Sequence, residues 1–158
     1  YHGVPERHIR KSDITKSHCK IDKSCCQTAS EAHQYCYRHQ CFETTRQVAE
    51  YLELKEGTYS TSFQSRLGVD PWLQPYTDQT VARFAKKGIK NMAIVTPAFV
   101  SDCLETLEEI GMEAAEDFEE KGGEELHVIP CINTRQDWVN VMSRWIDQWA
   151  KAETVTSA

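Results

Sequence analysis

No run of about 18 apolar residues occurs in this chain, so nothing in it reads as a membrane-spanning helix. Nor does it carry the charged-then-apolar pattern of a secretory signal, and the expectation is a cytoplasmic location. Positive charge is scarce: 18 Lys and Arg stand against 24 Asp and Glu, a formal net charge of -6 with pI near 5.5. Phosphate backbones want a basic face, so nucleic acid is excluded as the main partner. Internal repeats are missing, and the one biased stretch is a polar tail over residues 152–158. The chain also lacks an initial methionine. It starts at Tyr1 in residues that already read as a strand end, which implies a piece of a longer protein.

What remains is 158 residues with 40% hydrophobic content, enough for one water-soluble domain with its own core. Cysteine, by contrast, is plentiful. Seven is an odd number, which points to a reducing compartment with thiols or metal ligands more than to a disulfide framework.

Along the chain, Tyr1 to Pro5 reads as a strand end running into a turn, and 6–39 is polar, basic and rich in Cys and His without a long apolar period. Phe42 to Leu54 has helical spacing, and Tyr59 to Gln64 alternates as a strand does. Gly68, Asp70-Pro71 and Pro75 mark a turn around Trp72 and Leu73. Thr77 to Lys87 predicts a helix, Lys90 to Thr96 a short buried strand, and Glu125 to Cys131 another. A last helix near Gln136 to Lys151 places Trp138, Val139, Met142, Trp145, Ile146 and Trp149 on one stripe, read as packing. Strands alternating with helices predict an α/β fold: a doubly wound parallel sheet flanked by helices, with sites at the carboxyl ends of its strands. His2, Gln64, Thr96 and Cys131 sit near such ends.

Ser101 can cap a helix with two faces. At roughly 100° per residue, Asp102, Glu105, Glu109, Glu113 and Glu116 fall within an arc of about 80°, a stripe about 21 Å long. Leu104, Leu107, Ile110, Ala114 and Phe118 take the opposite side. Like charges at i,i+4 destabilise a helix, so water, a cation or a passing metal ion must offset them. Periodicity alone favours a solvated face. A histidine placed beside in-line carboxylates is also what a metal-delivering, proton-accepting site requires.

YHGVPERH, SFQSRLGVDPWLQPYTD, PAFVSDCLETLEEI and the late IPCIN together resemble ferrochelatase, the enzyme that inserts iron into a porphyrin at the end of haem synthesis. The resemblance covers Tyr1 to about residue 151, interrupted by the Cys/His-rich segment at about 14–41. It implies a C-terminal chelatase-like domain, with the N-terminal domain that supplies the other cleft wall outside this chain. It implies that His2 is the catalytic histidine of an S-x-H-G/S-x-P motif whose serine would precede Tyr1. Glu105 then opens the E-T-L motif as the second catalytic residue. Asp102 and Glu109 join His2 and Glu105 in handling the metal. Gln64, Ser65 and Trp72 match motifs lining the porphyrin approach, with Phe63 replacing the usual first aromatic, and Arg66 is a candidate partner for a propionate. In the family the acidic helix is widened toward π geometry.

The implied chemistry is insertion of ferrous iron, the metal substrate, into protoporphyrin IX or coproporphyrin III. Two pyrrole protons must leave, and a neutral imidazole can ligate Fe²⁺ or accept a proton. Burial would raise the pKa of Glu105 and make it a better base. Some ferrochelatases carry a [2Fe-2S] cluster on four thiolates, which suggests Cys19, Cys26, Cys36 and Cys41, with Cys25 as substitute for Cys26. Zn²⁺ held by cysteines and histidines, or reduced thiols on a loop, are the alternatives. Cys103 and Cys131 read as buried small hydrophobes. Expected partners are the porphyrin, the absent N-terminal domain and, peripherally, a membrane surface. The rival functions are a chelatase for another metal and tetrapyrrole, and a non-catalytic metal- or iron-sulfur-binding domain.

Overall fold

Helices and short parallel strands alternate through this computed structural model, which describes residues 1–156. Pro5 precedes α1 (Glu6–Ser12), and α2 (Lys23–Gln27) begins where the Asp22 side chain accepts from the N–H groups of Ser24 and Cys25. A 3₁₀ turn (Glu31–Tyr35) is capped by Ser30, and α3 (Tyr37–Tyr51) by the Cys36 sulfur, which accepts from His39 N–H at 3.5 Å. These local caps order a segment whose apolar spacing predicts no secure element. For the same reason α3 starts five residues before the helical period that begins at Phe42.

One core gathers α1, α3 and the extended segments. Ile9, Cys41, Phe63 and Leu73 are buried in it, with Tyr1, Val4, Tyr37 and Phe42 packed around. Here the expected strands shrink to single bridges: His2 with Gln64, Phe63 with Tyr76, and Pro5 with Trp72. Pro5, Pro71 and Pro75 lack the N–H groups a longer ladder needs, so pairing is interrupted.

The second core is a parallel β-α-β unit. β1 (Asn91–Ile94) pairs with β2 (Glu125–Val128) in register from Asn91 opposite Glu125 to Ile94 opposite Val128. Their crossover is a π-helix (Glu105–Glu113) continued by α5 (Ala114–Glu120), which packs on α4 (Thr77–Lys86). Val81, Ala85 and Phe118 are buried there against Met92, Ile94 and Leu126. Gly123 closes the crossover tightly, since a Cβ on it would lie 2.3 Å from the Phe118 ring.

α6 (Gln136–Thr156) runs past the predicted end at Lys151, so residues 152–156 of the expected tail are helical, and 157–158 lie outside the described residues. Much of its apolar stripe is exposed, although Trp138 is half-buried and its ring meets that of Trp145 edge-on, centroids 5.8 Å apart. Trp145, Ile146 and Trp149 are 58%, 63% and 64% exposed, which corrects the packing expectation. Among the described residues, no helix is long and apolar enough to cross a membrane.

Candidate active site

His2 is placed by its backbone. Gln64 N–H donates to Tyr1 O at 2.9 Å, Gly3 N–H donates to Gln64 O at 2.8 Å, and the Tyr37 hydroxyl donates to His2 O at 2.8 Å. Gly3 permits this approach, because a Cβ there would stand 2.7 Å from Gln64 O. The His2 Nδ1 lies 2.5 Å from Gly3 O, an atom that can only accept. Nδ1 therefore carries a proton, and in the neutral ring Nε2 is the atom that presents a lone pair. The ring sits 6.0 Å from that of Phe99.

The acidic helix departs from α spacing where the site lies. Over Glu105–Glu113 it is π-helical, and the buried positions Thr106, Ile110, Ala114 and Phe118 follow one another every fourth residue. Winding looser than 3.6 residues per turn moves the buried face. Leu104 and Leu107, expected on that face, are 71% and 58% exposed. The carboxylates move too: Glu116 is exposed, and Asp117 takes the place in line with Glu109 and Glu113.

Gln64 joins the two parts. It is buried, and its side-chain amide donates to Glu105 O at 2.9 Å and to a Glu109 carboxylate oxygen at 3.3 Å. The other Glu109 oxygen accepts from Ser65 N–H at 2.8 Å, while Ser65 Oγ donates at 3.1 Å to the oxygen that Gln64 reaches. Ser65 adopts a left-handed φ of 64°, strain that these bonds offset. Glu109 is thus held on both oxygens, whereas the Glu105 carboxylate faces outward within the field of His2. The Glu105 pKa is lowered, contrary to the burial-driven rise expected. The Cys103 thiol hydrogen bond is the largest cause, followed by the residue's own backbone N–H, with His2 also favouring the anion. Cys103 is half-buried and engaged in this bond, not the small core hydrophobe expected.

Asp102 turns toward the loop after β2. Asn133 Nδ2 donates to it at 2.6 Å, Thr106 Oγ1 at 3.0 Å and Cys131 N–H at 3.4 Å, and these donors, Asn133 first, lower its pKa. Its own N–H returns a bond to Asn133 Oδ1 at 2.9 Å. Asp102 therefore latches helix to loop and is apart from the Glu105–Glu109 pair. Cys131 is buried as expected.

Below Gln64 an open groove of about 290 Å³ is lined by Ser65, Arg66, Asp78, Glu109, Glu113 and Asp117. Arg66 lies 4.4 Å from the Tyr76 ring centre and pairs with Asp78 at 3.5 Å. Asp78 and Asp117 were not singled out in the sequence; a period of four, read instead of 3.6, points to Asp117. Trp72 is off this groove. It packs against Gly3 beside His2, and its indole Nε1 is buried without a hydrogen-bond partner. Arg7 pairs with Asp70, and Arg10 with Glu6.

In the cysteine segment, Cys19, Cys25, Cys26 and Cys36 line one small cavity together with His18 and His33. Cys41 is buried behind it in the first core, and all seven cysteines are free. Asp13 ties the entrance, accepting from Cys19 N–H at 2.8 Å and from Thr15 N–H at 2.9 Å, bonds that bring its pKa down to about 2. The Nε2 atoms of His18 and His33 stand 3.3 Å apart, and the His33 ring stacks on that of His39. Burial pushes the Cys26 and Cys41 thiols up to about 11, with Arg38 acting against it at Cys26. Among the described residues no three His, Cys, Asp or Glu side chains stand as a preformed metal site. The donor set nevertheless fits a thiolate-held group. Three of the four expected ligands, Cys19, Cys26 and Cys36, line the cavity with Cys25, Cys41 lies behind it, and the buried Arg38, whose Nε is orphaned, donates to Cys26 Sγ at 2.9 Å.

Residues 1–150 match the family profile described as ferrochelatase. Curated ferrochelatases are close in sequence. That of Opitutus terrae is 46% identical over 152 residues, covering 96% of this chain and 44% of the relative. That of Stutzerimonas stutzeri is 48% identical over 143 residues, covering 90% of this chain and 42% of the relative. Legionella pneumophila has one at 44% identity over 151 residues, covering 94% and 44%. The chain spans less than half the length of the curated relatives it matches.

Proposed function

This chain belongs to the ferrochelatase family, and on that premise we propose that it forms the C-terminal wall of an enzyme inserting Fe²⁺ into a free-base porphyrin. The observation carrying the proposal is Gln64. Its backbone pairs with the strand of His2 and its side chain reaches Glu105 and Glu109, so one residue holds imidazole and carboxylates to a common wall.

The proposed division of labour follows from the chemistry. His2 Nε2, with its lone pair free, meets the macrocycle or the ion, as proton acceptor or as metal ligand. Glu105, favoured as the anion, attracts the cation and takes up a departing proton. Glu109 is the fixed acceptor that keeps Gln64 and Ser65 in place while lending its charge. Glu113 and Asp117 extend that charge along the groove, and Asp102 sets the helix start. Arg66 and Trp72 meet the porphyrin edge, either protoporphyrin IX or coproporphyrin III. This wall alone is inactive, because the second wall belongs to the rest of the protein. The enzyme works in the cytoplasm and touches the membrane surface only peripherally, which cell fractionation tests.

The experiment is iron or zinc insertion by the full-length protein. His2→Ala and Glu105→Gln each lower the rate by about 100-fold or more, the scale of a positioned acid–base group, with thermal unfolding unchanged. Near-normal rates in both variants end the proposal.

We also propose that the cysteine segment holds a [2Fe-2S] cluster or Zn²⁺ on Cys19, Cys26, Cys36 and Cys41. When bound, such a group supplies the cross-link that a segment with little apolar core otherwise lacks. Visible absorption and metal analysis of anaerobically purified protein test it. A colourless sample with neither iron nor zinc eliminates it.

A further inference from the structure

The buried guanidinium of Arg38 has no anion of its own. Arg38 lies on α3, is 7% exposed, and among the described residues no carboxylate lies within ion-pair distance of it. Its Nη1 donates to Asp22 O at 2.9 Å, a neutral carbonyl, and its Cζ stands 4.9 Å from the Phe42 ring centre. The neighbours able to take up negative charge are sulfurs: Cys26 Sγ lies 2.9 Å from Nη1, and Cys25 Sγ 3.9 Å. The Nε donor is left without a partner.

Arginine stays protonated in proteins, so burial cannot be relieved by loss of the proton. A buried charge is costly unless it is paired. A neutral thiol is a weak acceptor, whereas a thiolate makes a charge-assisted bond. A lone cation kept against two sulfurs therefore suits a state in which those sulfurs carry negative charge, as metal-bound thiolates do.

We infer that Arg38 is a positioning residue for the thiolate-held group: its guanidinium is the counter-charge that holds Cys26 as a ligand. The inference rests on the proposed reading of the cysteine segment and sharpens it. It separates Cys26 from its neighbour, because the Cys25 thiol is turned to Asp22 O at 3.4 Å. It also predicts an electronic effect that packing alone would not produce. A fixed positive charge at a sulfur ligand favours the more reduced, more negative form of a cluster.

The test uses the full-length protein, prepared anaerobically and, after metal removal, reloaded with Zn²⁺ or Co²⁺ against a competing chelator. Arg38→Met, close in volume and uncharged, lowers metal affinity tenfold or more. If the wild type carries a cluster, the variant's one-electron midpoint potential moves negative, by about 59 mV for each tenfold change in the equilibrium. Arg38→Lys restores the charge and recovers part of both quantities. Cys26→Ser loses metal, while Cys25→Ser keeps it. Unchanged affinity and potential in Arg38→Met, with wild-type metal content intact, overturn the inference and leave the thiolate reading standing. Wild-type protein that takes up no metal removes both. Should Arg38→Met fail to fold, the two serine variants decide: metal lost from Cys25→Ser and kept by Cys26→Ser assigns the guanidinium to the wrong sulfur and overturns the inference.

Discussion

The wall that carries His2 and the segment that carries the cysteines are ordered by opposite means. On the wall, the polar groups that fix Glu109 and Asp102 find their partners inside the chain. Gln64 and Ser65 satisfy Glu109, Asn133 satisfies Asp102, and Thr106, Ile110 and Phe118 are buried beneath. The cysteine segment is held by Asp13 and Asp22 bonds to backbone, yet it keeps four thiols and two histidines around one cavity, with the buried guanidinium of Arg38 against Cys26 and no carboxylate partner. A finished hydrogen-bond network positions groups for a substrate that comes and goes. A network with a missing anion suits a resident group.

That contrast can be broken by substitution. Phe118→Ala removes a fully buried ring beneath the crossover and costs about 3–5 kcal/mol, measured by denaturant unfolding. It should unfold the wall while leaving the metal content of the cysteine segment near normal; equal loss of both would show that the regions are one cooperative unit. Gly3→Ala drives a Cβ against Gln64 O and costs about 1–3 kcal/mol, with insertion activity falling more than stability because His2 shifts. Glu109→Ala strands the Ser65 and Gln64 donors, a loss of about 1–3 kcal/mol. Glu109→Gln restores an acceptor for Ser65 N–H, so it should recover most of the stability without the charge, dividing the structural role of Glu109 from any cation handling.

The smallest effect concerns acid. The folded-state pKa of Asp13, about 2, lies below its ordinary value of 3.8. Its contribution to stability is therefore fully present above pH 3.8 and is lost as pH falls toward 2. Hydrogen exchange over residues 13–19 should accelerate across that window ahead of β1 and β2. Asp13→Asn, which keeps an acceptor but no charge, should flatten the dependence. No difference between the two proteins would remove Asp13 as the segment's anchor.

Much of the fold was legible because its signals are local. The β-α-β unit announced itself through KNMAIVT, Gly122-Gly123 and the second strand, and the helix from Thr77 through its amphipathic spacing. The extended segments near Tyr1 and Tyr59 were legible as extended but not as mere bridges, since prolines distant in sequence do the interrupting. α2 and the 3₁₀ turn were missed because single capping side chains, not apolar periods, create them. In the site, His2 and Glu105 could be named from their motifs. The direction of the Glu105 pKa could not, for it depends on where the Cys103 thiol points.

The order of amino acids alone determined the family, the helix and strand neighbourhoods, and the concentration of carboxylates and thiols in two separate stretches. These are matters of composition and short-range spacing, set within a turn or two of the chain. Only tertiary structure decided which carboxylates share a wall, because π winding replaces the assumed 100° step. It likewise decided that Glu109 is bound by Gln64 and Ser65, over 40 residues away in the chain, and that Arg38 meets sulfur in place of a carboxylate. Partners so far apart are brought together by packing, and packing sets the charge each group can carry.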